Sequence, residues 1–167
     1  MKTNLTDVRL ERATERDVPV ILSLVKALAD YERMAGDVVA NEALVHESLF
    51  GPAPSAEVVI ARAGAEPVGF AVWFYNHSTF LGRRGLYLED LFVVPEWRGR
   101  GIGRALLVYL AKVAVERECG RMEWAVLNWN EPAIGFYRSL GAKPMDGWST
   151  FRLTGDALAR LAAATAR

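Results

Sequence analysis

The segment from Arg98 to Arg104, with the sequence RGRGIGR, carries the strongest chemical signal in this chain. It follows an apolar run that ends at Pro95, and it opens a run in which apolar residues recur at helical spacing. Glycines let backbone N–H groups approach a ligand closely, and the first turn of a helix offers unpaired N–H groups and a dipole that favours an anion. The segment therefore predicts an anion site that a pyrophosphate would fit. An ordinary glycine-rich turn with exposed arginines is the alternative.

Other nucleic-acid and nucleotide-binding patterns fit this segment poorly. The spacing differs from the GxxxxGK(S/T) of a P-loop, and a dinucleotide GxGxxG motif would need a third glycine where Leu106 stands. The chain has 20 Lys and Arg against 20 Asp and Glu, so it lacks the basic excess of a nucleic-acid-binding domain. The arginines of the segment therefore need a local explanation.

Glu89 and Asp90 are a second candidate for chemistry, because they interrupt an otherwise apolar run from Gly85 to Val94. Alternation along a strand sends neighbouring side chains to opposite faces of a sheet, so one of the two should face a ligand. A carboxylate at the sheet surface, paired with an arginine, is the alternative reading of these residues.

A thiol or metal site is not predicted. The positions of Cys119, His46 and His77 do not match the spacing of metal ligands, and we interpret the Cys119 thiol as a partly buried side chain. A single cysteine cannot form an internal disulfide, which favours a reducing compartment and makes the cytoplasm the expected location. The amino-terminal residues are polar, and no apolar run approaches the ~20 residues of a membrane span, so we expect neither export by a signal peptide nor membrane insertion.

These residues must be positioned by one domain, because 167 residues match the prior of ~150 residues per domain. Alternating apolar residues predict strands over Val8–Ala13, Glu57–Ala63, Val68–Tyr75, Gly85–Val94, Met122–Trp129 and Trp148–Leu153. Spacing of three and four, with caps at Thr14 and Asn41, predicts helices from Val18 to about Ala29, from Asn41 to Phe50, from Gly101 to Glu118, from Glu131 to Leu140 and from Asp156 to Ala166. The order predicts an α/β (α+β) domain over residues 1–167, with a mixed, largely antiparallel central sheet and helices on both faces.

The motifs taken together resemble a known superfamily. Arg98-x-x-Gly101-x-Gly103 is similar to the Gln/Arg-x-x-Gly-x-Gly/Ala signature of the GNAT superfamily of acetyl-CoA-dependent N-acetyltransferases. Other segments resemble its spermidine/spermine (diamine) N-acetyltransferase branch: LADYE at Leu28–Glu32, YLEDLFV at Tyr87–Val93, WNEPAIGFY at Trp129–Tyr137 followed by Gly141-Ala142, and Gly147-Trp148. The resemblance covers nearly the whole chain and implies the GNAT fold, with CoA entering a cleft between the strand ending at Val94 and the strand ending at Asn130.

The resemblance also assigns residues to acetyl-CoA. The backbone of the central strand would pair with the pantetheine amides, Asn130 would bind the pantetheine arm, and Tyr137 would lie near the sulfur and protonate the thiolate. A free thiol has a pKa of about 8.5, so a proton donor suits this leaving group. The implied cofactor-binding residues are Leu91, Phe92, Val93, Arg98, Gly99, Arg100, Gly101, Ile102, Gly103, Arg104, Asn130 and Tyr137. Helix capping by Asn130 and core packing by Tyr137 are the structural alternatives.

On the acceptor side, the resemblance makes Glu89 the carboxylate that takes the ammonium proton or holds the cation. It places Tyr31, Glu32, Glu89, Asp90 and Trp148 near the amine. The chain departs from polyamine-acetylating relatives after Met34, where Ala35-Gly36-Asp37 replaces consecutive acids, and between Asn76 and Phe80, which lacks their aspartate. A smaller amine is therefore as plausible a substrate as a polyamine.

The sequence thus predicts an enzyme that moves an acetyl group from acetyl-CoA to a primary amine of a diamine, polyamine or basic amino acid. Attack would be direct, in a ternary complex and without a metal. A protein lysine or amino-terminal acetyltransferase and a catalytically silent acyl-CoA-binding regulator are the alternatives. The resemblance further implies a homodimer, and the apolar residues Leu158, Leu161 and Ala162 are compatible with a partner or with packing inside the chain.

Overall fold

The computed structural model describes residues 7–164 of the chain. Its strands form one mixed sheet between Val8 and Trp124. Its five strands follow chain order: β1 (Val8–Arg12), β2 (Glu57–Ala63), β3 (Glu66–Ser78), β4 (Arg83–Val93) and β5 (Met122–Trp124). The pairings from β1 to β4 are antiparallel, and β5 pairs parallel to β4. This arrangement confirms the predicted mixed, largely antiparallel sheet.

The helices are α1 (Val18–Tyr31), α2 (Glu42–Phe50), α3 (Ile102–Glu116), α4 (Glu131–Ser139) and α5 (Gly155–Ala162). Two predicted caps are confirmed. Thr14 and Asp17 form a capping box around one turn of 3₁₀ helix before α1, and the Asn41 side chain accepts a hydrogen bond of 3.0 Å from the Leu44 N–H. Both caps satisfy backbone donors that a helix leaves unpaired at its start. None of the helices within residues 7–164 is long and apolar enough to cross a membrane.

Helices cover both faces of the sheet, as predicted. The buried side of α1 packs in one hydrophobic core with Val58, Ile60, Phe70, Val72 and Phe92. On the other face, the Tyr109 ring of α3 contacts the Trp73 ring at a centroid distance of 6.1 Å. Alternation along β4 therefore directs Phe92 towards α1, while its neighbours Leu91 and Val93 point towards α3.

A β-bulge interrupts the pairing of β4 with β3. Val72 pairs with Asp90 and Trp73 pairs with Leu88, so Glu89 is the inserted residue. β5 pairs only with Leu86–Leu88, and β4 continues to Val93 beyond it. Because a bulge bends its strand, it separates β4 from β5 at the position where their pairing stops. The predicted strand over Met122–Trp129 is therefore too long, since β5 ends at Trp124.

The predicted strand over Trp148–Leu153 is wrong. This segment is irregular, and Phe151 is 94% exposed. Residues of high β-propensity form a strand only where a neighbouring strand takes their N–H and C=O groups, and no described strand pairs with this segment. The described residues fall into two compact units divided after Ala125, and the second unit contains α4 and α5. The last residues of the predicted terminal helix, 165 and 166, lie outside the described residues.

Candidate active site

The glycine-rich segment forms the turn that leads from β4 into α3. A single 3₁₀ turn over Pro95–Trp97 precedes it, and Gly99 and Gly101 have φ values of 71° and 83°. These left-handed conformations favour glycine, because a Cβ would approach the following carbonyl. Gly101 is the N-cap of α3, and the Ala105 N–H donates to the Gly101 carbonyl at 2.9 Å. The amides before Ala105 therefore belong to the helix start, where an anion is stabilised.

Gly103 differs from these two glycines, because it lies within α3 and has no left-handed φ. A Cβ placed on it would lie 3.8 Å from Leu91 Cδ2 and 3.9 Å from Val93 Cγ2, which are ordinary packing distances. Neither the backbone conformation nor the packing against β4 therefore requires a glycine. Its absent side chain keeps the first turn of α3 open, as close approach of a pyrophosphate to the backbone would require.

The arginines of the turn point in different directions. Arg100 lies 4.5 Å from the Trp97 ring centre and donates from Nη2 to the Glu96 carbonyl at 3.1 Å, so it stays within the turn. Arg104 is exposed on the first turn of α3. Arg98 instead donates from Nε to the Val93 carbonyl at 2.9 Å. Its guanidinium lies 4.3 Å from the centre of the Tyr31 ring, on the α1 side of β4.

The carboxyl end of α1 lies beside β4 on that same side. The Tyr31 and Phe92 rings contact each other at a centroid distance of 6.5 Å. The helix is closed by a Schellman motif, in which Met34 N–H donates to the Ala29 carbonyl at 2.8 Å and Arg33 N–H donates to the Asp30 carbonyl at 3.1 Å. Arg33 takes the left-handed position with φ 62°. This closure fixes the direction in which the chain leaves α1 directly after Glu32.

Carboxylates from three positions of the chain act on one another at this helix end. Burial and the nearby negative charges of Glu89 and Glu32 together raise the pKa of Asp90 to about 6. Burial also raises the pKa of Glu32. Glu89 itself is exposed at the bulge. The resulting negative potential disfavours further anions and favours a cation, in agreement with the negative end of the α1 dipole.

The remaining predicted site residues belong to the second unit. Asn130 is the N-cap of α4, and its side chain accepts a hydrogen bond of 3.3 Å from the Ala133 N–H. Tyr137 lies on α4, and its ring contacts the Phe136 ring at a centroid distance of 5.5 Å. Trp148 is 77% exposed in a turn, where its backbone N–H donates to the Met145 carbonyl at 3.1 Å. The roles expected of Asn130, Tyr137 and Trp148 stay predictions.

The structure adds two features to the prediction from sequence. The first is the bulge at Glu89, which no residue type in the sequence predicts. Alternation along the strand predicts only that one of Glu89 and Asp90 faces a ligand. The second is the contact between Arg98 and Tyr31, two residues far apart in the chain. Such a contact depends on the packing of α1 against β4 and has no local sequence signal.

The start of α3 on one face of β4 offers backbone amides that favour an anion, and the carboxylates at the end of α1 on the other face favour a cation. Residues 22–142 match the acetyltransferase (GNAT) family. The chain belongs to this family and is an acetyl-transferring enzyme, which confirms the family predicted from the motif at Arg98–Gly103.

Several curated relatives are similar along almost the whole chain. Thialysine N-epsilon-acetyltransferase of Bos taurus is 36% identical over 166 residues, which cover 93% of this chain and 97% of the relative. L-ornithine N5-acetyltransferase of Arabidopsis thaliana is 31% identical, covering 90% and 86% respectively. A human spermidine/spermine N(1)-acetyltransferase-like protein is 31% identical over 96% of this chain and 24% of that protein. The resemblance to the spermidine/spermine branch is thereby confirmed.

A solved structure shows the same fold over most of the chain. The integron cassette protein from the mobile metagenome of V. cholerae superimposes with a TM-score of 0.81 at 26% sequence identity, covering 95% of this chain and 99% of that one. The predicted GNAT fold is therefore confirmed.

Proposed function

We propose that this enzyme acetylates the side-chain amine of a small basic amino acid or one amine of a short diamine, with acetyl-CoA as the donor. The observation that carries the proposal is the cluster of Glu32, Glu89 and Asp90 at the carboxyl end of α1. A molecule with one reacting amine and a second cationic group would be held there by charge. The thialysine and L-ornithine acetyltransferases among the relatives support this substrate class.

The donor side is proposed to work through the backbone of the turn and of β4. Amides from Arg98 to Arg104 bind the pyrophosphate at the start of α3, where the dipole favours negative charge. The edge of β4 from Leu91 to Val93 extends past its pairing with β5, and its backbone groups are proposed to bind the pantetheine amides. Asn130 is proposed to add a contact to the pantetheine arm.

The chemistry requires a neutral amine and a protonated leaving group. A lysine-like amine has a pKa of about 10.4, so it must lose a proton before it can attack. Glu89 is proposed to take that proton, directly or through a water, since it is exposed beside the half-buried Asp90. As the C–N bond forms and the C–S bond breaks, Tyr137 is proposed to donate its phenolic proton to the sulfur.

The acceptor is proposed to be short. A long polyamine gains affinity from carboxylates that bind its second and third ammonium groups, and the residues after Met34 are Ala35 and Gly36. Ala35 and Gly36 carry no carboxylate, and Asp37 is the one acid of the 3₁₀ turn over Ala35–Asp37. Short diamines and basic amino acids should therefore react at least as well as spermine.

The proposal is tested by measuring CoA release with acetyl-CoA and a panel of amines: thialysine, ornithine, lysine, short diamines, spermidine and spermine. A lysine-containing peptide and a peptide with a free amino terminus represent protein acetylation. We expect kcat/KM to be highest for a basic amino acid or short diamine. Preference for either peptide would support protein acetylation, and binding of acetyl-CoA without turnover of any amine would indicate a regulator.

We also propose a cytoplasmic homodimer. Leu158 and Leu161 on α5 are 52% and 65% exposed, which is more apolar surface than one short helix needs to leave in water. Sedimentation equilibrium would give the mass of the assembly, and replacement of both leucines by Glu should yield monomers. A monomeric wild-type protein would refute the dimer and leave the proposed reaction untouched.

A further inference from the structure

We infer that the side chain of Arg98 positions the amine side of the active site, by holding Tyr31 and the end of α1 against β4. The inference rests on the proposed function and assigns this motif arginine a role other than that of a pyrophosphate ligand. Two contacts define its place: the hydrogen bond from Nε to the Val93 carbonyl, at 2.9 Å, and the guanidinium 4.3 Å from the Tyr31 ring centre.

The Arg98 guanidinium lies on the α1 face of the sheet. It is 5.5 Å from the Phe92 ring centre, and Phe92 belongs to the core that α1 forms with the sheet. The start of α3 lies on the opposite face, where the Cβ position of Gly103 faces Leu91 and Val93. The strand itself therefore separates the Arg98 guanidinium from the open first turn of α3.

The Arg98 guanidinium group already has two partners within the protein. Nε is bound to a carbonyl, and the guanidinium lies over an aromatic ring, an arrangement that the planar and weakly hydrated group of arginine favours over lysine. Arg100, two residues further along, lies over Trp97 and binds the Glu96 carbonyl, so its side chain remains with the turn. The two arginines thus have similar contacts on different partners, and the Arg98 guanidinium lies against Tyr31 of α1.

The carboxylates at the end of α1 form a negatively charged cluster. Burial of Asp90 and the charges of Glu89 and Glu32 all raise the pKa of Asp90. This cluster therefore attracts an incoming ammonium group. Arg98 can fix the position of Tyr31, and of Glu32 directly after it, without competing with the substrate.

The test compares Arg98→Met with Arg100→Met, and adds Arg98→Lys, Tyr31→Leu and the double variant Arg98→Met with Tyr31→Leu. The amine KM is measured at saturating acetyl-CoA, and the Kd of acetyl-CoA is measured by calorimetry. Circular dichroism confirms that each variant is folded. If Arg98→Met fails to fold, Arg98→Lys, which keeps the charge and the long alkyl chain, carries the test.

We expect Arg98→Met to raise the amine KM about tenfold, the scale of a partly desolvated cation–π contact, and Arg98→Lys to restore it only in part. Tyr31→Leu should add little in the Arg98→Met background, because both changes remove the same contact. Arg100→Met should leave the amine KM within about twofold of wild type, and any effect it has should fall on acetyl-CoA.

An unchanged amine KM in folded Arg98→Met, or additive effects of Arg98→Met and Tyr31→Leu, would overturn the inference. So would a loss confined to acetyl-CoA affinity, which would make Arg98 a pyrophosphate ligand. All three results presuppose a wild-type enzyme that acetylates amines, and they leave the proposed function standing. Absence of turnover by the wild type with every amine would instead overturn the proposed function together with this inference.

Discussion

The amino end of α3 and the carboxyl end of α1 lie against opposite faces of β4, and they favour ligands of opposite charge. The amino end of α3 has two glycines with left-handed φ, Gly99 and Gly101, and a third, Gly103, at which a Cβ would meet only ordinary packing distances. The carboxyl end of α1 has Glu32 beside Asp90 and Glu89. Since a helix is partially positive at its start and partially negative at its end, the first favours a pyrophosphate and the second an ammonium group.

Under the proposed function, β4 would keep two charged substrates on opposite faces and still bring them to one reaction. Phe92 faces α1, whereas Leu91 and Val93 face α3, so the two sites use alternate side chains of the same strand. The bulge at Glu89 interrupts this alternation and places a carboxylate at the point where β4 passes the end of β5. Chemistry that needs both sites would be centred near this bulge.

The largest effect should come from a residue that belongs to neither helix end. Tyr137→Phe should lower kcat by ~10²-fold or more, because the phenylalanine cannot donate a proton to the departing sulfur. The Kd of acetyl-CoA and the KM of the amine should stay near wild type. Steady-state kinetics with calorimetry check both statements. Equal kcat values would show that Tyr137 is a packing residue and that another group protonates the thiolate.

The next largest effect should be at the acidic end. Asp90→Asn should raise the amine KM about 30-fold, since a buried carboxylate that binds a cation contributes several kcal/mol. In the wild type, the amine KM should rise as the pH falls through about 6, because Asp90 becomes protonated there. Asp90→Asn should lose this pH dependence. Glu89→Gln is the matched control, and it should mainly lower kcat if Glu89 accepts the ammonium proton.

Asp90→Asn should also change stability in the direction opposite to activity. The pKa of Asp90 is raised from 3.8 to about 6 in the folded protein, so the ionised carboxylate destabilises the fold above that pH. The wild type should therefore gain stability as the pH falls from about 6 towards 4, and Asp90→Asn should be more stable at pH 8 by ~1–3 kcal/mol. Urea unfolding at both pH values measures the difference. A less stable variant at pH 8 would mean that Asp90 makes stabilising contacts.

At the basic end, a pair of substitutions at Gly103 separates binding from folding. Gly103→Ala should weaken acetyl-CoA binding about tenfold without reducing the melting temperature, because the added Cβ meets only ordinary contacts and alanine favours a helix by up to ~1 kcal/mol over glycine. Gly103→Val should weaken binding further. Unchanged acetyl-CoA affinity in folded Gly103→Val would exclude this turn as the pyrophosphate site.

The smallest effect is expected at the carboxyl ends of α1 and α3, which both close with a left-handed residue. Arg33 and Glu118 are both non-glycine residues with left-handed φ, at 62° and 54°, and both follow a helix end. Glu118→Gly should raise the free energy of unfolding by ~0.5–1 kcal/mol and leave the kinetics unchanged. Arg33→Gly should gain no more than this in stability and should raise the amine KM slightly, because it removes the side chain directly after Glu32. Equal amine kinetics in the two variants would show that the closure of α1 is structural alone.

The sequence by itself determined the amino end of α3 and the order of the elements from β1 to α4. Gly99, Gly101 and Gly103 can be recognised without a structure, since glycine is needed for local reasons such as a left-handed φ or an open backbone. The caps at Thr14 and Asn41 were predicted for the same reason, because a cap bonds backbone groups a few residues away. The alternation of apolar residues was sufficient for β1 to β4.

Only the tertiary structure decided three features: the carboxylate cluster at the end of α1, the length of β5 and the irregular conformation of Trp148–Leu153. Asp90 acquires its raised pKa from burial and from Glu32, which is distant in sequence. Arg98 occupies the first position of a motif that predicts a phosphate contact. Its side chain nevertheless lies on Tyr31, because α1 packs against that face of β4. Strand ends depend on whether a neighbour is present, as the bulge at Glu89 and the irregular segment after Trp148 show. These features arise from contacts between distant parts of the chain, and local residue patterns do not encode such contacts.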